Sequence, residues 1–296
     1  MDLVLGTAQF GQQYGITNKS ENYNDLRELE LILSEFQESG FSKIDTAQNY
    51  GLSEKMLGEI GVKDFKITSK ISFPESSSNF TQEVIKKIET SLQNLKLESL
   101  ECLLAHNPSY LIDHPDESIS LIETLKEEGL IRNFGVSVYE PSDLQNIKLI
   151  DTIQFPCNFF DRRFIDDVFN QDHEHILKQA RSIFLQGLLL ESADKIPNKF
   201  LKYKDIFSRY QNIYSSQHDK LKGCISFILS QNFDEFLVGV SSHNELKGIL
   251  ASINDYSPSS IINNDFGRCF LNNCGISWSI WVNNIFVISP KLIPFH

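Results

Sequence analysis

The sequence predicts an α/β fold closed into a single (β/α)8 barrel, and three observations carry that expectation. Eight short apolar runs alternate with longer amphipathic stretches, the pattern of repeated βα units around a parallel sheet. No composition break or linker interrupts this alternation before about residue 255, which favours one closed barrel over an open doubly wound sheet. No G-x-G-x-x-G follows any of the runs, so the fingerprint of a Rossmann domain is missing.

Taken in order, the first strand is expected at Leu3–Gly6. Asn24-Asp25 then caps a helix whose Leu26, Leu29, Leu33 and Phe36 share one face, and Gly40 stops it. Strands follow at Ser42–Asp45 and Lys66–Lys70. A helix from Thr81 carries Val84, Ile88, Leu92 and Leu95 on one stripe and leads to a strand at Leu100–His106. Pro115-Asp116-Glu117 opens a helix with Ile119, Ile122 and Leu125 inward and Gly129 just past its end. The fifth strand is expected at Asn133–Val136, and Pro141-Ser142-Asp143 starts another helix. Strands at Thr152–Gln154, Ser182–Leu185 and Glu235–Gly239 complete the eight, each short and rich in β-branched or large apolar residues.

The barrel domain is thus expected over residues 1–255, with 256–296 as an atypical tail. No Asp or Glu occurs after Asp265, while Trp278, Trp281 and Phe286 are mixed with the pairs Asn272-Asn273 and Asn283-Asn284. Such a segment reads either as a cover over the barrel mouth or an oligomer contact, or as a poorly packed terminus.

Charge and cysteine usage narrow the function. The 296 residues hold 27 Lys+Arg against 39 Asp+Glu, a net charge of −12, which argues against nucleic-acid binding because phosphate neutralisation needs a basic face. The five scattered cysteines, Cys102, Cys157, Cys224, Cys269 and Cys274, suit reduced thiols in a cytoplasmic protein. The start lacks a basic region and an apolar run, so neither a signal peptide nor a membrane span is expected. His173-Glu174-His175 offers no third ligand, and Cys269 and Cys274 lack zinc-like partners, so no metal is expected. Asp161-Arg162-Arg163 reads as a salt-bridged loop.

In an α/β barrel, reactive side chains sit at the C-terminal ends of strands. Asp45, Lys70 and His106 close the second, third and fourth strands, and Tyr50 lies in the loop five residues after Asp45. A phenol ordinarily titrates near ~10 and needs help to act as an acid at neutral pH. Lys70 can supply a cation, Asp45 can hold Lys70 in place, and His106 can hydrogen-bond a substrate oxygen. This set suits protonation of a carbonyl oxygen while hydride arrives at its carbon.

The sequence at this point resembles the aldo/keto reductases, in particular compact bacterial members, over about residues 3–251. Asp45-Thr46-Ala47-Gln48-Asn49-Tyr50-Gly51-Leu52-Ser53-Glu54-Lys55-Met56-Leu57-Gly58 matches the family signature D-T-A-x-x-Y-G-x-S-E-x-x-L-G at each fixed position. Leu5-Gly6-Thr7-Ala8, Lys70, His106, Gly135-Val136-Ser137, Gln154 and Gln186-Gly187-Leu188-Leu189 match in order. The resemblance implies a catalytic tetrad of Asp45, Tyr50, Lys70 and His106, with Tyr50 as general acid, a nicotinamide dinucleotide (NADP or NAD) as cofactor, and a small-molecule carbonyl compound as substrate. On the cofactor side it implies Gly6, Thr7, Ala8, Asp45, Ser137, Gln154, Arg181, Ser182, Gln186, Gly187, Gly239, Ser241, Ser242 and Glu245.

Three departures stand out. Val138 replaces the Asn that usually follows Ser137. Arg181 takes the place of the aromatic residue that stacks on the nicotinamide, which a planar guanidinium can still do. After the eighth strand the usual 2′-phosphate-binding cations are missing: Gly239 and Glu245 align there, with His243 and Lys247 nearby. The expected function is reduction of an aldehyde, ketone or keto-sugar. The alternatives are a non-catalytic nicotinamide-sensing subunit on the same barrel, and a barrel aldolase or isomerase with Lys70 as Schiff-base nucleophile, which a nearby Asp45 would oppose.

Overall fold

A computed structural model describes residues 1–296 apart from 17–23, 75–78, 145–146, 148, 166–174, 215 and 257–296. Nearly all of the expected tail, Cys269, Cys274, His173 and Glu174 therefore lie outside the described residues.

Eight parallel strands close into a barrel in chain order: β1 (Asp2–Gly6), β2 (Lys43–Asp45), β3 (Lys66–Ile71), β4 (Leu100–Ala105), β5 (Ile131–Ser137), β6 (Thr152–Pro156), β7 (Leu177–Arg181) and β8 (Glu235–Gly239). β8 returns to β1 with Gly6 opposite Gly239, which closes the ring. The helices are α1 (Leu26–Glu38), α2 (Ser53–Ile60), α3 (Phe80–Leu95), α4 (Ser109–Asp113), α5 (Pro115–Glu127), α6 (Lys204–Gln211), α7 (Gln217–Leu229) and α8 (His243–Asn254). The α/β barrel class read from the sequence is therefore the observed one.

The caps follow the local chemistry. Asp25 accepts from the backbone N–H groups of Arg27 and Glu28 at the start of α1, and Gly40 follows the helix at φ +87°. Leu29, Ile32, Leu33 and Phe36 of α1 are buried against the sheet. The same layer takes Leu3, Leu5, Ile44, Ile67, Leu103, Phe134, Ile153, Ala180 and Phe236 from the strands. Gly58 in α2 faces Asn94 of α3 so closely that a Cβ would lie 2.0 Å from the Asn94 carbonyl oxygen, so only glycine lets these two helices meet.

Two expected elements differ. The expected strand at Ser182–Leu185 is a tight turn, with Ser182, Leu185, Gln186 and Gly187 all at positive φ, and the strand precedes it at Leu177–Arg181. An apolar run marks a strand buried on both faces, but β7 turns Gln179 and Arg181 into a polar barrel interior and so lacks such a run. The helix expected from Pro141 is a 3-10 turn over Pro141–Leu144, pinned by Asp143, whose carboxylate accepts from the N–H groups of Tyr139 and Glu140 at 3.1 and 2.9 Å.

Alternation along the strands decides what fills the barrel. The residues opposite to the apolar set are largely polar: Lys43 and Asp45, Lys70, Gln154, Gln179 and Glu235 point to the axis and bond to one another there.

Candidate active site at the C-terminal ends of the strands

The structure brings Asp45, Tyr50, Lys70 and His106 together. Lys70 at the end of β3 is buried and forms an ion pair with Asp45 at the end of β2, whose side chain is equally buried. Lys70 Nζ also donates to the Thr46 carbonyl at 3.0 Å and lies 5.1 Å from the centre of the Tyr50 ring. His106, directly after β4, meets Tyr50 edge to face, with ring centroids 6.1 Å apart.

The loop carrying Tyr50 is tied down by its own signature residues. Thr7 Oγ1 donates to the Asp45 carbonyl at 3.0 Å, Ser53 Oγ donates to Thr7 Oγ1 at 2.8 Å, and Thr46 and Ser53 share a hydrogen bond of 3.1 Å. Glu54 accepts from Ser69 Oγ at 2.7 Å and from Asn94 Nδ2 at 3.3 Å. Thr7, expected on the cofactor side, thus spends its hydroxyl on holding this loop.

Burial sets the charge state. The Tyr50 phenol is pushed well above the usual tyrosine range, by burial first and by the Asp45 carboxylate second, while Arg181 pulls the other way. Lys70 is the cation set against this ring. Its charge is committed to Asp45, and burial lowers its own pKa. His106 is depressed to about 3, by burial and then by the charges of Lys70 and Arg181. At neutral pH the group therefore presents a protonated phenol and an uncharged imidazole over one buried ion pair.

Below the ion pair runs a chain of hydrogen bonds along the barrel axis. Gln154 Nε2 donates to Asp45 Oδ2 at 2.8 Å and to Gln179 Oε1. Gln179 Nε2 donates to Glu235 Oε2 at 2.7 Å, and Glu235 pairs with Lys43, which also reaches Asp2 at 2.9 Å. The carboxylate of Glu235 accepts only. It turns the Gln179 amide nitrogen towards itself, which leaves the Gln179 oxygen for Gln154. The Gln154 nitrogen is then committed twice, and Gln154 Oε1 is left buried without a hydrogen-bond partner. A buried acceptor without a partner costs about 1–3 kcal/mol, and a ligand N–H would offset it. Ser137 lies in register with Gln154 on the neighbouring strand and is also buried. These residues fit a primary carboxamide, the group that the expected cofactor carries.

Three residues in the chamber escape a reading by sequence alone or take new roles. Tyr14 lies 6.4 Å from Tyr50 between ring centroids, and burial pushes its phenol up as well. Tyr139 lies beneath Arg181, whose Cζ is 4.4 Å from the ring centre. Arg181 also donates from Nη2 to the Val138 carbonyl at 3.1 Å, so two of the departures seen in the sequence meet in space. Ser182 accepts from Arg181 Nη1 at 3.4 Å, and the Gln186 carbonyl accepts from the Ile16 N–H at 3.3 Å. Asp161 and Arg163 form the expected salt-bridged loop, with Glu140 as a third member.

The start of α8 is occupied from within. Ser242 caps the helix by accepting from the Glu245 N–H at 3.3 Å, and Ser241 donates to Glu245 Oε2 from its N–H at 2.7 Å and its hydroxyl at 2.9 Å. His243 and Lys247, the nearby cations, face Glu35 of α1 at 3.0 and 3.7 Å. Gln9 covers Gly239, where a Cβ would lie 2.2 Å from its side-chain oxygen. Gly6 and Ala8 flank the end of β1 without side-chain hydrogen-bonding groups of their own. Among the described residues there is no cluster of three metal-ligating side chains, and no helix is long and apolar enough to cross a membrane.

Comparison with known proteins agrees with this arrangement. The Aldo/keto reductase family pattern matches residues 2–261. The chain is 31% identical over 163 residues to the methylglyoxal reductase DkgA of Yersinia pestis, covering 53% of each chain. It is 29% identical over 149 residues to the D-arabinose 1-dehydrogenase of Saccharomyces cerevisiae, covering 46% of this chain and 42% of that one. It thus spans about half the length of the curated relatives it matches. The fold is shared with an aldo-keto reductase from Bacillus halodurans solved in its holo form, at a TM-score of 0.71 and 20% identity, over 92% of this chain and 91% of that one. With that one family pattern matched over residues 2–261, most of its length, the chain belongs to the aldo/keto reductase family.

Proposed function

We propose that the protein reduces an aldehyde, ketone or keto-sugar to the alcohol with a reduced nicotinamide dinucleotide, Tyr50 giving the proton. The observation that carries this reading is the buried Asp45–Lys70 ion pair set against the ring of Tyr50. When bound, the cofactor supplies hydride to the carbonyl carbon. The chain's own part is to hold the carbonyl oxygen beside the Tyr50 hydroxyl and the neutral His106 ring, and to pass the phenolic proton to that oxygen as negative charge develops there. Lys70 and Arg181 then face the resulting phenolate, which regains its proton from solvent. Lys70 as a Schiff-base nucleophile would need to leave both Asp45 and the Thr46 carbonyl, which disfavours aldolase chemistry. Loss of reduced-nicotinamide absorbance across a panel of carbonyl compounds, nucleotide-linked keto-sugars included, tests the reading. No turnover of any carbonyl with either dinucleotide would overturn it.

Gln154 Oε1 and Ser137 would hold the carboxamide, and Ser182, Gln186, Gly187 and Gly239 would line the dinucleotide. Arg181 would face the nicotinamide, where its charge favours the neutral reduced ring over the cationic oxidised one. The barrel-axis chain supports a specific expectation. In Glu235→Gln an amide replaces the carboxylate that orients Gln179, so both glutamines can turn over. Dinucleotide binding, read by protein-fluorescence titration, is expected to weaken about ten-fold, the equivalent of one hydrogen bond. Discrimination against the 3-acetylpyridine analogue, which cannot donate from its acetyl group, should fall with it. Unchanged discrimination would remove Glu235 from this role.

Cofactor choice follows from Glu245. Its carboxylate accepts from the Ser241 N–H and hydroxyl, where a 2′-phosphate would bring like charge against it. NADH is therefore expected to be used at least as efficiently as NADPH, and Glu245→Arg is expected to shift preference towards NADPH. Comparing kcat/KM for both cofactors checks this, and a strong NADPH preference in the wild type would contradict it.

A further inference from the structure

Among the described residues, the candidate active-site chamber holds one charge with no counter-ion. Arg181 lies two residues beyond Gln179 on β7, so strand alternation turns both side chains to the barrel interior, where Gln179 is fixed by Gln154 and Glu235. At this height the Arg181 guanidinium reaches across β6 to the Val138 carbonyl that follows β5. Its partners there are a carbonyl oxygen, the Ser182 hydroxyl and the face of Tyr139, all uncharged. Among the described residues no carboxylate lies within ion-pair reach of it.

The remaining groups in the chamber leave this charge standing. Lys70 is matched by Asp45. Tyr14 and Tyr50 keep their protons and His106 stays uncharged. Counted over the described residues, the chamber therefore carries a net positive charge in a protein whose overall charge is −12. A half-buried cation without a counter-ion is unfavourable, and among the described residues two of the guanidinium N–H groups are engaged by side-chain or carbonyl oxygens, which leaves donors in the fork geometry that matches a carboxylate.

We propose that Arg181 is the counter-charge for a carboxylate on the substrate, so that the chamber selects an oxo acid over a neutral carbonyl compound. This rests on the carbonyl-reductase reading above and adds the substrate class to it. The carboxylate would sit beside the reacting carbonyl, because Arg181 and the tetrad occupy the same end of the same barrel interior.

The test separates binding from turnover. Oxamate, an unreactive oxo-acid mimic, and its uncharged methyl ester are titrated by calorimetry into the full chain with NADH present. The wild type should bind the acid about ten- to a hundred-fold more tightly than the ester, the range expected of a charge-assisted hydrogen-bonded pair. Arg181→Met should abolish that preference, and Arg181→Lys, which keeps the charge but loses the fork, should retain part of it. Tyr50→Phe should retain it whole. Equal binding of acid and ester by the wild type, or a preference that survives Arg181→Met, would overturn the proposal. So would an Arg181→Met variant that loses only NADH affinity, since the guanidinium would then serve the cofactor alone. Turnover of pyruvate against methyl pyruvate completes the test. If no carbonyl of the wider panel is reduced with either dinucleotide while the oxamate preference stands, the reductase reading falls and the anion site remains. If the ester is the better substrate, the anion site falls and the reductase reading remains.

Discussion

Replacing Tyr50 by phenylalanine is expected to lower carbonyl reduction by about 10²–10⁴-fold, the usual contribution of a positioned general acid, while dinucleotide affinity stays within a few-fold of the wild type. The substitution removes one oxygen and leaves the ring that packs against His106 and lies beneath the Lys70 ammonium. The loop should hold its place, because its fasteners are Thr7, Thr46, Ser53 and Glu54 and none of them bonds to the Tyr50 hydroxyl. The lost rate is therefore expected in kcat. Single-turnover measurement with a prebound reduced cofactor checks it directly. A phenylalanine variant within a few-fold of the wild type on a good substrate would mean that another group, such as the nearby Tyr14, delivers the proton.

That Asp45, Tyr50, Lys70 and His106 come together was legible in the sequence because each stands at or just beyond the end of an apolar run, and a closed barrel brings such ends together. The remainder of the chamber was harder to read for a physical reason. β7 carries Lys178, Gln179 and Arg181, so it has no apolar run, and the expected strand slid onto the apolar turn that follows. The signal that could have placed it was the charge inside otherwise apolar strands: Lys43 in β2 and Glu235 in β8 both need interior partners, and a glutamine on the strand that precedes β8 supplies one to Glu235. Tyr14 and Tyr139 reach the chamber from loops, where spacing carries no rule for direction. The capping role of Ser242 was open to reading from Ser-x-x-Glu at 242–245, and that same pattern explains why Glu245 faces its own helix start.

Lys70→Met is expected to abolish turnover and to destabilise the fold by about 3–5 kcal/mol, the cost of leaving one member of a buried ion pair alone. Asp45 and Lys70 are both almost fully shielded from solvent, so water cannot replace the lost partner. The surviving carboxylate would keep the Gln154 amide at 2.8 Å as its remaining side-chain donor, and the Thr46 carbonyl would lose the ammonium that now donates to it at 3.0 Å. Activity and stability can be separated by a second change. Adding Asp45→Asn removes the stranded charge, so the double variant should recover much of the stability in denaturant unfolding while remaining inactive, because the cation near Tyr50 is still missing. If the double variant were as unstable as Lys70→Met alone, the stranded carboxylate would not be the cause of the loss. If it regained turnover, Lys70 would have no electrostatic part in the reaction, and the phenol would be working through His106 and Arg181 without it.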